Sequence, residues 1–359
     1  MTYSQLRHLL FISRLTASRL CLIALLATIA SSSMALAQGY HNAKYASEFL
    51  SFGAGARSGA LGGAGTALNS DVTAGYYNPA GLSGIKHLQA AIFHESRFSG
   101  EINYDYIGAA LPLDSLQTFA VSAIRLGYDD IPDTRDALID PNGNGRIDDG
   151  DRIDPTRVKY GGASDWAIFG SYARRVNDKL SVGGNLKLLY KTVLDHIAWG
   201  LGIDLSAHYT PVDNLSLGAT LADATKSLMT WDTGNQEFLV PQLKLGAAYR
   251  YDITDDHGVM PILDVVLRFE GRETATMLDL GLASADIGTG LEYSYRDRVF
   301  VRGGYSELGQ LTVGAGVKLP KLNIDYAFLR PRSEDASFGS THRVSLRLTL
   351  EEDRFARGK

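Results

Sequence analysis

The feature that most constrains this chain is a segment of about ten residues, repeated many times, in which apolar side chains alternate with polar or small ones. The clearest example is residues 342–350, HRVSLRLTL, where every second side chain from Val344 to Leu350 is apolar. Residues 199–209, WGLGIDLSAHY, repeat the pattern. Because successive side chains of a β-strand point to opposite faces, this alternation predicts long strands with one apolar and one polar face.

Fourteen such segments follow residue 37, with almost no amphipathic helix between them. Most are long enough to cross a bilayer at a tilt, which needs about 9–11 residues. The same alternation occurs in a soluble sandwich, whose apolar face points inward, and in an outer-membrane barrel, whose apolar face points toward lipid. The predicted strands are residues 87–97, 102–112, 118–128, 164–175, 180–192, 197–210, 215–225, 241–251, 260–271, 286–296, 298–306, 310–319, 322–331 and 342–351.

The connections between the predicted strands distinguish these two architectures. Counted along the chain, the even-numbered connections are short, and they include 177–179, 211–214 and 320–321. The even connections 113–117 and 252–258 are somewhat longer. The odd-numbered connections include the long excursions 129–163, 226–240, 272–285 and 332–341, although the loops after the first, fifth and eleventh strands are brief. Short turns alternating with long loops are typical of periplasmic turns and extracellular loops, and a sandwich has no reason to separate them. The predicted fold is therefore all-β, a transmembrane antiparallel β-barrel of about 14 strands over residues 87–359, in the bacterial outer membrane and in contact with its lipid.

The N-terminal residues 1–37 are expected to be a signal peptide. Three arginines precede the apolar run from Leu20 to Ala30, and the sequence ALA at 35–37 is a small-x-small cleavage pattern. An uncleaved anchor helix is the alternative, and the shortness of the apolar run disfavours it. Cleavage would remove the sole cysteine, Cys21, and with it any disulfide or thiolate site.

The charge balance bears on possible partners. The predicted signal peptide has three arginines and no acid, so cleavage lowers the count of Lys and Arg from 35 to 32 against 40 acids, a net charge of −8. Binding to a phosphate backbone needs clustered Lys and Arg. Nucleic acid is therefore not expected as a partner.

Residues 38–86 differ in character from the strands that follow. They contain six glycines between Gly53 and Gly65, among other small residues, and then the turn Asn78-Pro79. Glycine at this density lets backbones approach closely, as a segment folded inside a barrel lumen would require. We expect residues 38–86 to form an N-terminal glycine-rich plug or hatch.

Residues 52–84, FGAGARSGALGGAGTALNSDVTAGYYNPAGLSG, resemble the N-terminal signature of the PorV/PorQ family of outer-membrane proteins, which is similar to the long-chain fatty-acid transporter (FadL-like) barrels. Later stretches agree with this resemblance, among them GLEYSYRDRVFVRGGY at 290–305 and TVGAGVKLPKLNIDYAFL at 312–329. The sequence departs from the pattern in two places: EEDRFARGK follows the last strand, where many barrels end on an aromatic residue, and 129–163 looks like an insertion.

The resemblance implies a fourteen-stranded barrel whose N-terminal segment occupies the lumen. It also implies a non-enzymatic role as a secretion-associated or surface scaffold component, with secretion-system proteins as partners. The alternative is FadL-like transport of hydrophobic small molecules across the outer membrane. An apolar lumen of ligand size would favour transport, and a lumen packed by residues 38–86 and by loops would favour the scaffold.

The sharpest local motif is DPNGNGRIDDGD at 140–151, which matches the twelve-residue calcium loop. The predicted ligands are Asp140, Asn142 and Asn144 at positions one, three and five, the carbonyl of Arg146 at seven, Asp148 at nine and Asp151 at twelve. A hard cation needs several converging oxygens, and glycine at position six permits the sharp turn. Two nearby prolines discourage paired helices, so we expect an isolated structural calcium loop. The alternative is a solvated turn.

Other patterns that carry chemistry are missing from the sequence. The glycine run misses the GxGxxG spacing, no GK[ST] ends it, and neither HExxH nor GxSxG occurs. An enzyme is therefore not expected. Aromatic residues lie near the ends of several predicted strands, for example Trp166, Trp199, Tyr209 and Tyr249. They predict interfacial girdles, although the general preference of tyrosine for strands is an equally good explanation of any one of them.

Overall fold

In a computed structural model, the described residues are 48–68, 71–97, 100–141, 143–145, 148–225, 227–270, 276–331 and 340–351. The predicted signal peptide lies outside them. Fourteen antiparallel strands form a closed barrel, because the last strand pairs with the first as well as with its predecessor. The barrel strands are β1 (Leu88–Arg97), β2 (Ile102–Pro112), β3 (Gln117–Asp133), β6 (Lys159–Arg175), β7 (Leu180–Val193), β8 (His196–Val212), β9 (Leu215–Ala222), β12 (Gln242–Tyr249), β14 (His257–Arg268), β16 (Ser284–Tyr295), β17 (Val299–Tyr305), β18 (Gln310–Lys318), β19 (Leu322–Pro331) and β20 (Thr341–Leu350).

Six short strands complete the sheet structure of the described residues. They lie in the connections, with the exception of one that extends a barrel strand past Arg250. These strands are β4 (Leu138–Ile139), β5 (Arg152–Ile153), β10 (Leu228–Trp231), β11 (Gln236–Phe238), β13 (Tyr251–Thr254) and β15 (Leu278–Asp279). In the described part of the chain, no helix is long and apolar enough to cross a membrane.

The two faces of the barrel wall have opposite character. Large apolar side chains at alternate positions are exposed, for example Ile107 at 62% and Leu201 at 61%, while the residues between them are buried. Exposed aromatic side chains lie near both ends of the strands: Trp199 packs on Tyr190 toward the long loops, and Tyr209 and Tyr249 lie toward the short turns. An outward apolar band with aromatic borders is the arrangement of a membrane-spanning barrel.

The predicted count and order of the strands are confirmed. Two strands are much longer than predicted, since β3 and β6 continue their pairing beyond residues 128 and 164, as far as Asp133 and Lys159. A register shift between Tyr128 and Ile131 interrupts the ladder at that point. The predicted insertion 129–163 is thus partly an extension of the β3–β6 hairpin, and it carries the small β4–β5 hairpin between its arms.

The residues before β1 form short helices. α1 (Ala56–Ala60) and α2 (Ala74–Tyr77) are single turns, and two 3₁₀ helices cover Glu48–Phe52 and Pro79–Gly84. We call residues 48–85 the N-terminal segment. Most of its side chains are buried, and its contacts are with residues on the inward face of the wall. The turn at Asn78-Pro79 begins the second 3₁₀ helix, with the Asn78 side chain accepting a hydrogen bond from the Ala80 N–H at 3.1 Å.

Candidate functional site

A cavity of about 470 Å³ lies between the N-terminal segment and the long loops. Residues of the first 3₁₀ helix and Tyr76 line one side of the cavity. Strand ends and loop residues line the rest. The charged residues that line it are Glu48, Lys187, Asp204, Asp223, Lys244, Arg268, Glu270, Asp286 and Glu307. Its apolar surface includes Leu50, Phe169, Leu239, Met277 and Leu308. The cavity is therefore large enough for a small ligand, but its lining is largely polar. An apolar lumen was the feature expected to favour transport of hydrophobic molecules, and this cavity differs from it.

Two groups of ion pairs line this cavity, one on each side of strand β12 along the wall. On one side, the Lys187 ammonium lies 3.3 Å from an Asp204 carboxylate oxygen and 2.6 Å from an Asp223 carboxylate oxygen. On the other side, the Arg268 guanidinium lies 2.5 Å from an Asp286 oxygen and 3.4 Å from a Glu307 oxygen. Each cation thus has two acidic partners, which compensates for its burial.

Lys244 lies between these two groups, on the inward face of β12. Its outward neighbour Leu245 is exposed, and Gly246 on its own face is buried. The Lys244 ammonium is 5.4 Å from the centroid of the Tyr76 ring. Among the described residues no carboxylate lies within 4.0 Å of it, in contrast to Lys187 and Arg268. Lys244 thus lines the cavity as a cation with no acidic partner in the part of the chain that the structure describes.

Polar side chains of the wall fix the N-terminal segment beneath the cavity. The Asp264 carboxylate accepts hydrogen bonds from the backbone N–H groups of Gly65 and Thr66, both at 2.9 Å. Arg57 of α1 forms a bidentate pair with Glu292, at 2.9 and 3.0 Å. The Asp264 bonds satisfy two backbone N–H groups of the stretch after α1, and the Arg57–Glu292 pair adds a charge-assisted contact between side chains.

Glycines of the wall permit the segment to approach the strands at backbone distance. A Cβ on Gly290 of β16 would lie 2.7 Å from the Leu61 Cα, and one on Gly183 of β7 would lie 2.5 Å from the Ala80 backbone nitrogen. Contacts this short exclude any side chain at these positions. The segment and the wall thus approach closely at glycines of the strands as well as of the segment, and the plug role of residues 38–86 stays a prediction.

The predicted calcium loop lies between β4 and β5, and two of its predicted ligands, Asn142 and Arg146, are outside the described residues. The Asp140 carboxylate accepts hydrogen bonds from the N–H groups of Gly143 and Gly145, both at 2.6 Å. The Asn144 amide donates to Asp148 at 2.6 Å, and the Asp148 N–H donates to the Asp151 carboxylate at 2.9 Å.

This geometry closes the loop on itself. No group of three or more His, Cys, Asp or Glu side chains suited to a metal occurs within the described portion of the chain. Calcium binding by the loop therefore stays a prediction. Beyond the loop, the Thr156 hydroxyl and N–H donate to the Asp154 carboxylate, which lowers the pKa of that group.

The sequence identified neither the cavity nor its cations as a site. Lys187 belongs to the polar face of a predicted strand, so its inward direction could be inferred. Its partner Asp223 lies just after β9, two strands away along the chain, and the pairing depends on the final shape of the wall. Lys244 stands in the stretch LKLGAAYRY, where alternation puts it on the polar face, but nothing local indicates that it lacks an acidic partner.

Comparison with solved structures shows which class of barrel this is. The Ralstonia pickettii toluene transporter TbuX is similar, with a TM-score of 0.55 and 15% sequence identity, covering 84% of this chain and 100% of that chain. The Pseudomonas putida toluene transporter TodX has a TM-score of 0.56 at 13% identity, covering 84% and 100%. A Pseudomonas aeruginosa FadL homologue has a TM-score of 0.52 at 11% identity, covering 82% and 98%.

These similarities establish a FadL-like fold, like those of outer-membrane transporters, as the sequence predicted. A model of the uncharacterised protein family UPF0164 matches residues 23–109. The search of curated proteins found no match. The resemblance to FadL-like barrels is confirmed for the fold, and the resemblance to the PorV/PorQ family stays a prediction.

Proposed function

We propose that this chain is an outer-membrane passage for small organic molecules. The observation that carries the proposal is a ligand-sized cavity between the long loops and the N-terminal segment, in a barrel whose fold neighbours are toluene transporters and a FadL homologue. In such a passage, a molecule enters from the long-loop end, occupies the cavity, and continues when the N-terminal segment beneath it shifts. The N-terminal segment is the plug of this passage.

Uptake measurements test this proposal. A Gram-negative host without a barrel of this fold would express the chain, and the uptake of radiolabelled toluene and of radiolabelled benzoate would be followed over time. We expect uptake of at least one of these probes to rise several-fold above that of a host carrying an empty vector. Equal uptake in both hosts, with the barrel correctly folded in the outer membrane, would contradict the passage.

A secretion-associated or surface scaffold of the PorV/PorQ type is the second candidate. It is supported by the close packing of the N-terminal segment and by β3 and β6, which at 17 residues each are long enough to carry their connecting loop beyond a bilayer. Purification from the native membrane in mild detergent would distinguish the candidates. Secretion subunits or secreted proteins that remain bound after washing would favour the scaffold, and a bound small molecule would favour the passage.

We also infer that the loop at residues 140–151 binds calcium in a structural role. Six of its positions agree with the calcium-loop pattern, and its carboxylates at positions one and twelve already close the turn through backbone N–H groups. An isolated loop without paired helices should bind weakly, with a Kd of about 10⁻⁴–10⁻³ M. Its effect would be to order the connection between β3 and β6.

A further inference from the structure

We propose that the cavity binds a compact, singly charged organic anion, and that the Lys244 ammonium recognises its acidic group. The inference rests on the proposed function, because passage is what brings a small molecule into this cavity. It goes further by giving the chemical class of that molecule. A neutral hydrocarbon is the competing ligand, since the fold neighbours TbuX and TodX are toluene transporters.

The first step of the argument is the difference between Lys244 and the other two cations of the cavity. Lys187 and Arg268 each contact two carboxylates at 3.4 Å or less. Among the described residues, Lys244 has no carboxylate within 4.0 Å, and its ammonium lies over the Tyr76 ring, 5.4 Å from the ring centroid. Lys244 is half-buried, and a partly desolvated ammonium group without a counter-ion is unfavourable; a ligand carboxylate that supplies the counter-ion gains a charge-assisted hydrogen bond.

The second step concerns what surrounds this cation. The rings of Tyr76 and Phe169 and the side chains of Leu50, Leu239 and Leu308 line the same cavity. They offer an apolar surface on which a ring or a short alkyl body can pack. A hydrocarbon could use this surface, but it would separate the neighbouring charges from water without giving them a partner. An amphipathic anion matches both parts of the lining.

The third step sets the charge of the ligand. Six acidic and three basic side chains line the cavity, and Lys187 and Arg268 together hold four of the acids. One cation without an acidic partner can neutralise one negative charge. Any negative charge on the ligand also meets the excess of carboxylates in the lining, and a second charge would be repelled with no further cation to offset it. The cavity therefore suits a monoanion and disfavours a dianion.

Three probes of similar shape test the inference: benzoate, toluene and benzylammonium. Their binding to the purified, detergent-solubilised chain would be measured by saturation-transfer NMR and by calorimetry. We expect the wild type to bind benzoate more tightly than toluene or benzylammonium. The variant Lys244→Met should lose benzoate affinity at least tenfold while its toluene affinity stays unchanged. Lys244→Arg, which keeps the charge, should retain benzoate binding.

A matched control is Lys318→Met, which removes an exposed lysine at the short-turn end of β18 and should leave all three affinities unchanged. Toluene or benzylammonium binding more tightly than benzoate to the wild type would overturn the inference, whether or not Lys244→Met folds. Benzoate affinity that survives in a folded Lys244→Met variant would also overturn it. Toluene binding alone would leave the proposed passage intact, whereas a wild type that binds none of the probes and mediates no uptake would remove the passage as well.

Discussion

Arg343 joins three parts of the molecule through one guanidinium group. The side chain is fully buried, at 0% exposure, on the inward face of β20. It pairs with Glu95 of β1 and donates to the carbonyl oxygens of Gly55 at 3.1 Å and Phe52 at 2.8 Å. The planar fork of arginine suits such a junction, because several N–H groups donate in fixed directions. Arg343 therefore couples the closure of the barrel to the position of the N-terminal segment.

The first prediction concerns the loss of this side chain. Arg343→Met should leave two carbonyl oxygens and part of the Glu95 charge without partners, and so lower the free energy of unfolding by about 3–5 kcal/mol. Because the wall retains its β-ladder, the effect should concentrate in the N-terminal segment. We expect faster proteolysis within residues 48–68 while heat-modifiable migration on a gel persists. Arg330→Met, which removes an exposed arginine of β19, is the control, and equal protease resistance of Arg343→Met and wild type would contradict the assigned role.

The sequence could not predict which inward-facing side chains contact one another. Alternation alone assigns Lys187 and Asp204 to polar faces, because that information is local to each strand. Their contact also needs the register of β7 on β8, in which Lys187 is paired with Gly202. Register depends on turn geometry and on packing of the whole wall, so a periodicity cannot supply it.

At the scale of elements, the outer ends of β3 and β6 show where alternation stops being informative. Asp130 adopts a left-handed backbone conformation, with φ at 60°, and the pairing skips from Tyr128 to Ile131. An irregularity of this kind breaks the period of two although the ladder continues beyond it. The sequence therefore predicted the strand as far as residue 128 and placed the remainder in a loop.

The second prediction uses the glycines of the wall. Gly290→Ala places a Cβ 2.7 Å from the Leu61 Cα, and neither backbone can yield easily, so α1 and the residues after it should shift away from β16. We expect increased proteolysis of the N-terminal segment and a lower unfolding temperature. Gly303→Ala is a matched control on the neighbouring strand, since its nearest atom would be 3.8 Å away. Equal proteolysis rates and equal unfolding temperatures of the two variants would contradict the prediction, because they would show that the N-terminal segment does not need close contact with β16.

The third prediction concerns the loop between β4 and β5. If residues 140–151 bind calcium, millimolar calcium should slow proteolysis of this loop, because the ion neutralises the repulsion among its carboxylates. Asp140→Ala and Asp148→Ala should abolish the protection without affecting barrel assembly. Asp149→Ala, at a position that supplies no ligand in the pattern, should preserve it. Cleavage of the wild-type loop at equal rates in calcium and in chelator would favour the solvated turn.

For the whole molecule, the sequence was sufficient to predict the number of strands, their order and the separation of short turns from long loops. Each of these properties repeats along the chain and can be read segment by segment. The character of the lumen could not be predicted in the same way. The lining of the cavity consists of the inward side chains that the N-terminal segment leaves uncovered, and these decide whether the cavity is apolar or charged. Lys244 is one of them.

The last prediction tests whether passage requires the N-terminal segment to move. The segment is packed against wall glycines at backbone distance, so a ligand that leaves the cavity along the lumen is expected to displace it. The Ala56 N–H donates to the Ser345 hydroxyl at 2.7 Å, so the two residues are neighbours, and the double variant A56C/S345C is chosen to cross-link them by a disulfide. Cys21 is the sole native cysteine and lies in the predicted signal peptide, so no competing thiol is expected after cleavage.

Oxidation of A56C/S345C should fix α1 to β20 and stop uptake of whichever probe the wild type transports, and a reductant should restore it. The single variants A56C and S345C, treated with the same oxidant, should transport at the wild-type rate, which separates the cross-link from the substitutions. Completeness of the cross-link would be measured by labelling the remaining free thiols. Wild-type uptake through a fully cross-linked barrel would mean that the ligand leaves the cavity by a route through the wall, and the plug role of the segment would be wrong.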